Sequence, residues 1–267
     1  MIESLHSPHV ARVKALIGSR GVKERRDSGL FIAEGLQAAR EALASKGAPF
    51  IKSLYVTQTG LLKLIDFDLN SIDVIEVTDA VMSEMTSTVT PQGVLALCVL
   101  PRPDIASVAS LADKPASRVI YLHEIQDPGN AGTILRTADA MGVDAVITSP
   151  GSVDMYSPKV VRATAGSLWH LPLFQSIPFA DIAALLPNSA PLLMSSHAEK
   201  SILNIDRSQS FITVFGNEAR GVAATDLGLS EGEITAVTIP MAGRAESLNL
   251  SAAASIVIFT LSHGIAG

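Results

Sequence analysis

The sequence is short of aromatic residues, which make up 4%, and of charged residues, which make up 17%. A core for 267 residues must therefore be built mainly from Ala, Val, Ile and Leu. There is a single cysteine, Cys98, so no internal disulfide can form. It lies in the apolar run 93–100 and reads as a buried thiol. Long hydrophobic runs are missing too. The most apolar late stretch, 248–261, is too short and too rich in Asn and Ser to span a bilayer. The first residues lack the apolar centre of a signal peptide, so a cytoplasmic chain without a membrane partner is expected. The net charge of −6 argues against coating nucleic acid through bulk charge, but it leaves room for a local basic face. A mean hydropathy of +0.35 and 48% hydrophobic residues argue against global disorder.

Several familiar site motifs are absent. There is no GxxxxGK[ST], no GxGxxG after the first strand of either half and no GxSxG, which removes P-loop, Rossmann dinucleotide and hydrolase-elbow readings. His6, His9, His123, His170, His197 and His263 are scattered, without Cys or carboxylates at ligand spacing. No metal site is expected.

What is present is alternation. Strands are predicted over 30–35, 51–57, 73–77 and 93–100, with helices over 36–46 (stopped by Gly47), near 60–65 and over 79–85. These form an α/β unit over 1–100. Pro101 and Pro103 end it, and 101–117 reads as a linker of weak periodicity. The second half, 118–267, repeats the pattern with strands over 118–123, 144–148, 171–175, 191–195, 211–215 and 236–239. Helices are predicted near 131–141, 158–167, 179–186 and 248–262. These strands are apolar throughout, as when helices cover both faces of a parallel sheet.

Between residues 12 and 26 there are six basic residues, Arg12, Lys14, Arg20, Lys23, Arg25 and Arg26, against one acid, Glu24. Val10, Val13, Leu16 and Ile17 recur at helical spacing, so one short amphipathic helix with a basic side is predicted. Two readings fit that side, an RNA-phosphate contact and a solvated helix face.

Three predicted loops lie at the C-terminal ends of strands, where open α/β sheets bind ligands. The first, 123–132, carries Asn130 at an expected N-cap and runs into a helix bearing Arg136. Capping or function suits Asn130, and a surface ion pair or function suits Arg136. In the second, 216–221, Gly216 allows a ring to lie against backbone and Glu218 can accept hydrogen bonds. The third carries Met241, Arg244, Glu246 and Ser247 into a helix starting at Leu248, with Ser247 as the expected cap. A helix N-terminus there suits an anion, and an ordinary capped helix explains the same residues.

Four strings together carry a resemblance: DPGNAGTILRTA from Asp127, SPKVVRATAGS from Ser157, FGNEARG from Phe215, and IPM from Ile239 followed by ESLNLS from Glu246. In this order they resemble the motifs of the SpoU/TrmH family, S-adenosylmethionine-dependent RNA 2′-O-ribose methyltransferases of the SPOUT superfamily. The resemblance covers about 118–264. The first hundred residues resemble more loosely a small ribosomal-protein-like substrate-binding domain.

The resemblance implies a C-terminal α/β domain whose chain forms a trefoil knot, a rare exception to ordinary connection rules. It implies S-adenosylmethionine bent between the last two loops, held by Gly216, Ile239, Met241 and Leu248. It implies Arg136, Asn130, Glu218, Ser247 and Asn249 at the catalytic site, and pairing of subunits through this domain. Ala252, Ala253 and Ala254 allow close helix approach there, or plain core packing. Since a guanidinium gives up its proton too reluctantly to serve as a base, Arg136 is expected to hold the phosphate or orient the ribose. Large ribosomal RNA is favoured as substrate. Transfer RNA, and a non-catalytic ribosome-assembly protein of the same fold, are the alternatives.

Overall fold

The computed structural model describes residues 1–44 and 48–263. Lys46 and Gly47, expected to end a helix, lie outside the described residues, as does Gly264. By its contacts the chain divides into two units, one of Met1–Pro101 with Asp154–His170, the other of Arg102–Val153 with Leu171–Gly267.

In the first unit, β1 (Leu30–Glu34), β2 (Ile51–Val56), β3 (Asp73–Glu76) and β4 (Val94–Val99) form a sheet in the order β1-β4-β2-β3. β4 is antiparallel to both neighbours, and β2 is parallel to β3. The single amphipathic helix expected over 12–26 is instead two helices, Pro8–Ile17 and Gly21–Ser28. Ser7 caps the first, accepting from the Val10 N–H, and Pro8 sits at its first position, where a missing N–H costs nothing. Gly18 ends it in extended conformation. Val10, Val13 and Leu16 bury one face against Ile32, Tyr55, Val81 and Leu97.

The break has a purpose in packing. Arg25 turns inward from the second helix to 4% exposure, donates to the Leu16 carbonyl and pairs with Asp154 at 2.7 Å. A Cβ at position 21 would overlap both the Leu16 carbonyl and the Arg25 guanidinium, which explains Gly21. Arg25 therefore corrects the expected basic face: it is a buried structural cation, not a phosphate ligand. Arg12, Lys14, Arg20, Lys23 and Arg26 remain exposed, with Lys14 paired to Glu84.

The second unit holds β5 (Arg118–Leu122), β6 (Ala145–Thr148), β7 (Leu173–Phe174), β8 (Ala190–Met194), β9 (Phe211–Phe215) and β10 (Thr235–Val237). Their order is β10-β8-β9-β5-β6-β7, and every pairing is parallel. The uniformly apolar strands predicted this, and the central ones are buried along their whole length. The stretch read as a linker carries a 3-10 helix, Ile105–Leu111, whose Val108 is buried in this unit's core beside Val119, Ile182 and Val214.

Arg118 opens β5 with a buried side chain. Its guanidinium donates to the main-chain carbonyls of Leu261 (3.2 Å), Gln209 (2.6 Å), Ser117 (3.1 Å) and Arg207. It thereby fastens the C-terminal turn of the last helix, Leu250–Ser262, where a cation also complements the helix dipole. Among the described residues no helix is long and apolar enough to cross a membrane, and no cluster of three His, Cys, Asp or Glu could hold a metal.

Candidate functional site

The first loop leaves β5 and enters the helix Pro128–Ala140. Asp127 is its cap, accepting from the Asn130 N–H at 2.7 Å, with Pro128 at the first helical position. Asn130 is thus not the N-cap, as expected from the sequence, but the third helical residue. Proline's fixed φ starts the helix two residues before Asn130. The Asn130 side chain, freed from capping, is 8% exposed.

The second loop follows β9. Asn217 and Gly221 pair across it, and the Asn217 side-chain oxygen accepts from the N–H groups of Ala219 (2.9 Å) and Arg220 (3.2 Å). A Cβ on Gly216 would come within 2.6 Å of Gly221 and Val222, so the turn's own backbone requires glycine there. The Asn217 amide donates to the Glu124 carbonyl at 2.9 Å, and Arg220 pairs with the Glu124 carboxylate, tying this loop to the first.

The third loop leaves β10 and meets the last helix at Asn249, not Ser247. Asn249 accepts from the N–H groups of Ser251 (2.9 Å) and Ala252 (3.3 Å), and the helix starts at Leu250. Asn and Ser are equally good caps, and Asn249 wins because its amide also finds a partner across the site.

That partner is Asn130. The Asn249 amide donates to the Asn130 side-chain oxygen at 3.1 Å, and the Asn130 amide donates to Glu218 at 3.3 Å. Glu218 also accepts from the main-chain N–H groups of Gln126 (3.1 Å) and Asp127 (3.0 Å). One continuous chain of hydrogen bonds thus joins all three loops. Partial burial pushes the Glu218 carboxyl up, but the Asp127 and Gln126 N–H groups and the Asn130 amide outweigh it and hold the pKa below the usual range. Glu218 is an anion at neutral pH.

The loops enclose a cavity of about 580 Å³, within the range of small-ligand pockets. Asn130, Gly216, Glu218, Ile239, Met241, Ser247, Leu248 and Asn249 all line it. Arg136 does not; it is exposed on the helix Pro128–Ala140, without an ion pair among the described residues. The sequence reading missed the wall made by Ser195, Ser196 and His197, which follow β8. In the sheet β8 lies between β9 and β10, so its loop must fall between theirs. Strand order was the missing signal.

Among the described residues, the backbone N–H groups of residues 241–248 make no hydrogen bond within the chain. With the apolar side chains of Phe215, Ile239, Met241 and Leu248, the cavity offers both halves of what a purine nucleoside needs: apolar surface, and exposed main-chain groups without a partner in the chain at its edge.

Comparisons with known proteins agree with this arrangement. Residues 117–259 match the SpoU rRNA Methylase family, and residues 8–96 match the MRM3-like substrate binding domain. A 23S rRNA (guanosine(2553)-2′-O)-methyltransferase, RlmP, of Bacillus subtilis is 33% identical over 90% of this chain and 91% of its own length. A 23S rRNA (uridine(2479)-2′-O)-methyltransferase of Streptomyces viridochromogenes is 28% identical over 92% of this chain and 86% of its own. The crystal structure of an AdoMet-bound rRNA methyltransferase from Sinorhizobium meliloti superposes with a TM-score of 0.80 at 28% identity, covering 97% of this chain and 96% of that one.

Proposed function

We propose, from the premise that this chain belongs to the SpoU rRNA methylase family, that it methylates a ribose 2′-hydroxyl in large ribosomal RNA. The observation that carries the reading is the hydrogen-bonded chain Glu218–Asn130–Asn249, which draws three loops around one cavity.

The residues fit S-adenosylmethionine, which supplies a methyl group bound to a cationic sulfur and so open to attack by an oxygen nucleophile. Ile239, Met241 and Leu248 flank the adenosine, and the main chain at Gly216 and in the third loop bonds its polar edges. Glu218, ionised and fixed by its donors, holds the first two loops at a constant spacing, and Asn130 and Asn249 extend that spacing to the third. Alignment is the larger share of the task, because the hydroxyl must approach the methyl carbon along one line. Arg136 holds the RNA phosphate next to the reacting ribose, and that phosphate assists loss of the hydroxyl proton. Ser247 supports the substrate side of the third loop.

Residues 1–100 bind RNA, with Arg12, Lys14, Arg20, Lys23 and Arg26 attracting phosphates without regard to sequence. Residues 118–267 carry the transfer chemistry on a knotted path. Two copies pair through the last helix. Its outward Ile256 and Phe259, the latter 54% exposed, support this contact, whereas Ala254 is simply core. A ribosomal RNA substrate supports a cytoplasmic location.

Calorimetry with S-adenosylmethionine, followed by tritium transfer to large ribosomal RNA and to transfer RNA, tests the reading. Binding with transfer to the ribosomal RNA is expected. Transfer confined to transfer RNA would reassign the substrate, and an absence of cofactor binding would reduce the protein to a non-catalytic RNA binder.

A further inference from the structure

The segment SPKVVRATAGS has no part in the site above. It packs in the first unit, and there its Arg162 meets Glu34, the last residue of β1. The Glu34 side chain is 3% exposed and accepts from four donors: the Ser87 N–H (3.2 Å), the Ser87 hydroxyl (2.8 Å), the Thr88 N–H (3.1 Å) and Arg162 Nη1 (2.9 Å). One buried carboxylate therefore fixes both Arg162 and the loop 86–92.

Together they wall a second cavity, of about 280 Å³, with Gln37, Thr86, Thr90 and Gln92. Its chemistry is unusual for a gap between packed elements. Nη1 of Arg162 is taken up by Glu34 and Ser87, but among the described residues its Nε and Nη2 make no hydrogen bond. The Thr90 hydroxyl makes none either, whereas the Thr88 side chain is engaged by the Glu34 carboxylate. Lys63 donates to the Gln92 carbonyl at 2.9 Å, which brings a second cation to the cavity's edge. At the tip of the same loop Val89 is fully exposed.

Within the lining the charge of Arg162 is balanced by Glu34, and Lys63 lies outside it, exposed to solvent, so the cavity does not select a multiply charged ion. It selects a small neutral group rich in hydrogen-bonding atoms. The free guanidinium edge is the group that pairs with ring-nitrogen and carbonyl acceptors of a base, and RNA is read most specifically through bases that are not paired.

We infer that this cavity receives one unpaired nucleobase of the RNA substrate, read by Arg162 with Thr90, and so contributes to the choice of RNA. The inference rests on the RNA methyltransferase reading for its ligand, yet its geometry lies wholly in the first unit.

The four nucleoside 5′-monophosphates, and ribose 5-phosphate as the base-free control, are titrated into isotope-labelled full-length protein and followed by NMR. At least one mononucleotide is expected to shift the amides of residues 86–92 and the Arg162 Nε signal, and ribose 5-phosphate to leave them in place. The variant Thr90→Val removes one hydroxyl and spares every contact of Glu34. It is expected to weaken mononucleotide binding at least fivefold and to raise KM for large ribosomal RNA by a similar factor. Its dissociation constant for S-adenosylmethionine should stay at the wild-type value. Equal shifts with ribose 5-phosphate, no shift with any mononucleotide, or wild-type affinity in the Thr90→Val variant would each overturn the inference. Mononucleotide binding here in a protein that transfers no methyl group would overturn the proposed activity and leave this site standing.

Discussion

Asn249 donates its side-chain amide to the side-chain oxygen of Asn130 across 3.1 Å, joining residues 119 positions apart. The same Asn249 oxygen caps the last helix. One side chain thus performs two separable tasks, and two substitutions divide them.

Asn249→Asp keeps the capping oxygen and loses the amide donor. Its melting temperature should stay within a few degrees of wild type while methyl transfer falls at least tenfold. Asn249→Ala should lose the same activity and, in addition, about 1 kcal/mol of stability in urea titration. Equal activity in the aspartate variant and the wild type would remove the Asn130 link from the mechanism.

Glu218→Gln replaces an acceptor of three hydrogen bonds with a group that has one acceptor oxygen. A drop in kcat of ~10–100-fold is expected, matching the loss of a charged hydrogen bond. Because the carboxyl is held below its usual range, Glu218 is ionised throughout pH 6–9. The wild-type rate profile should therefore show no acid limb from this group in that window.

Glu34 offers a stability test. Burial raises its pKa, but the Thr88 and Ser87 donors and Arg162 together carry it below the usual value. A carboxyl depressed on folding contributes stability fully above its unfolded pKa of about 4.3, and loses it as pH falls through the folded value. Thermal melts between pH 7 and pH 3 should show a fall that Glu34→Gln lacks. That variant should be weaker than wild type at pH 7, by about 2 kcal/mol.

Arg25 and Arg26 are adjacent in the chain and opposite in role. Arg25→Ala strands the Asp154 carboxylate and the Leu16 carbonyl, and should cost ~3 kcal/mol of stability. Arg26→Ala should melt like wild type and reduce the salt slope of RNA binding by about 1. An unchanged slope would remove Arg26 from the RNA face.

Arg136→Ala should bind S-adenosylmethionine as wild type does, since Arg136 stands outside the cavity, and should lose most of its transfer rate. Near-normal turnover would clear Arg136 of a part in the reaction.

Periodicity made most of the fold legible. Strand β9 and the helix Asp79–Met85 fall where alternation and capping predict them, because local burial dictates both. Loops 216–221 and 239–249 were recognisable through glycine and proline punctuation. What local signals could not supply was partnership between distant residues. Arg25 reads like any basic residue of an exposed helix until Asp154 is brought beside it. Ser195–His197 carry no motif, and only the position of β8 between β9 and β10 reveals them. The two misplaced caps, at Asn130 and Ser247, both arose where good capping residues stood within two or three positions of each other: Pro128 decided for Asp127, and the contact with Asn130 decided for Asn249.

Arg118 gives the docking of the last helix a physical meaning. This cation stands at the start of the first strand of its sheet, and one of its acceptors is Leu261, added 143 residues later. Until Leu261 joins the fold, the Arg118 guanidinium can reach only three of its four main-chain acceptors. The second unit therefore completes this ring of acceptors only when its last helix docks against the start of its first strand.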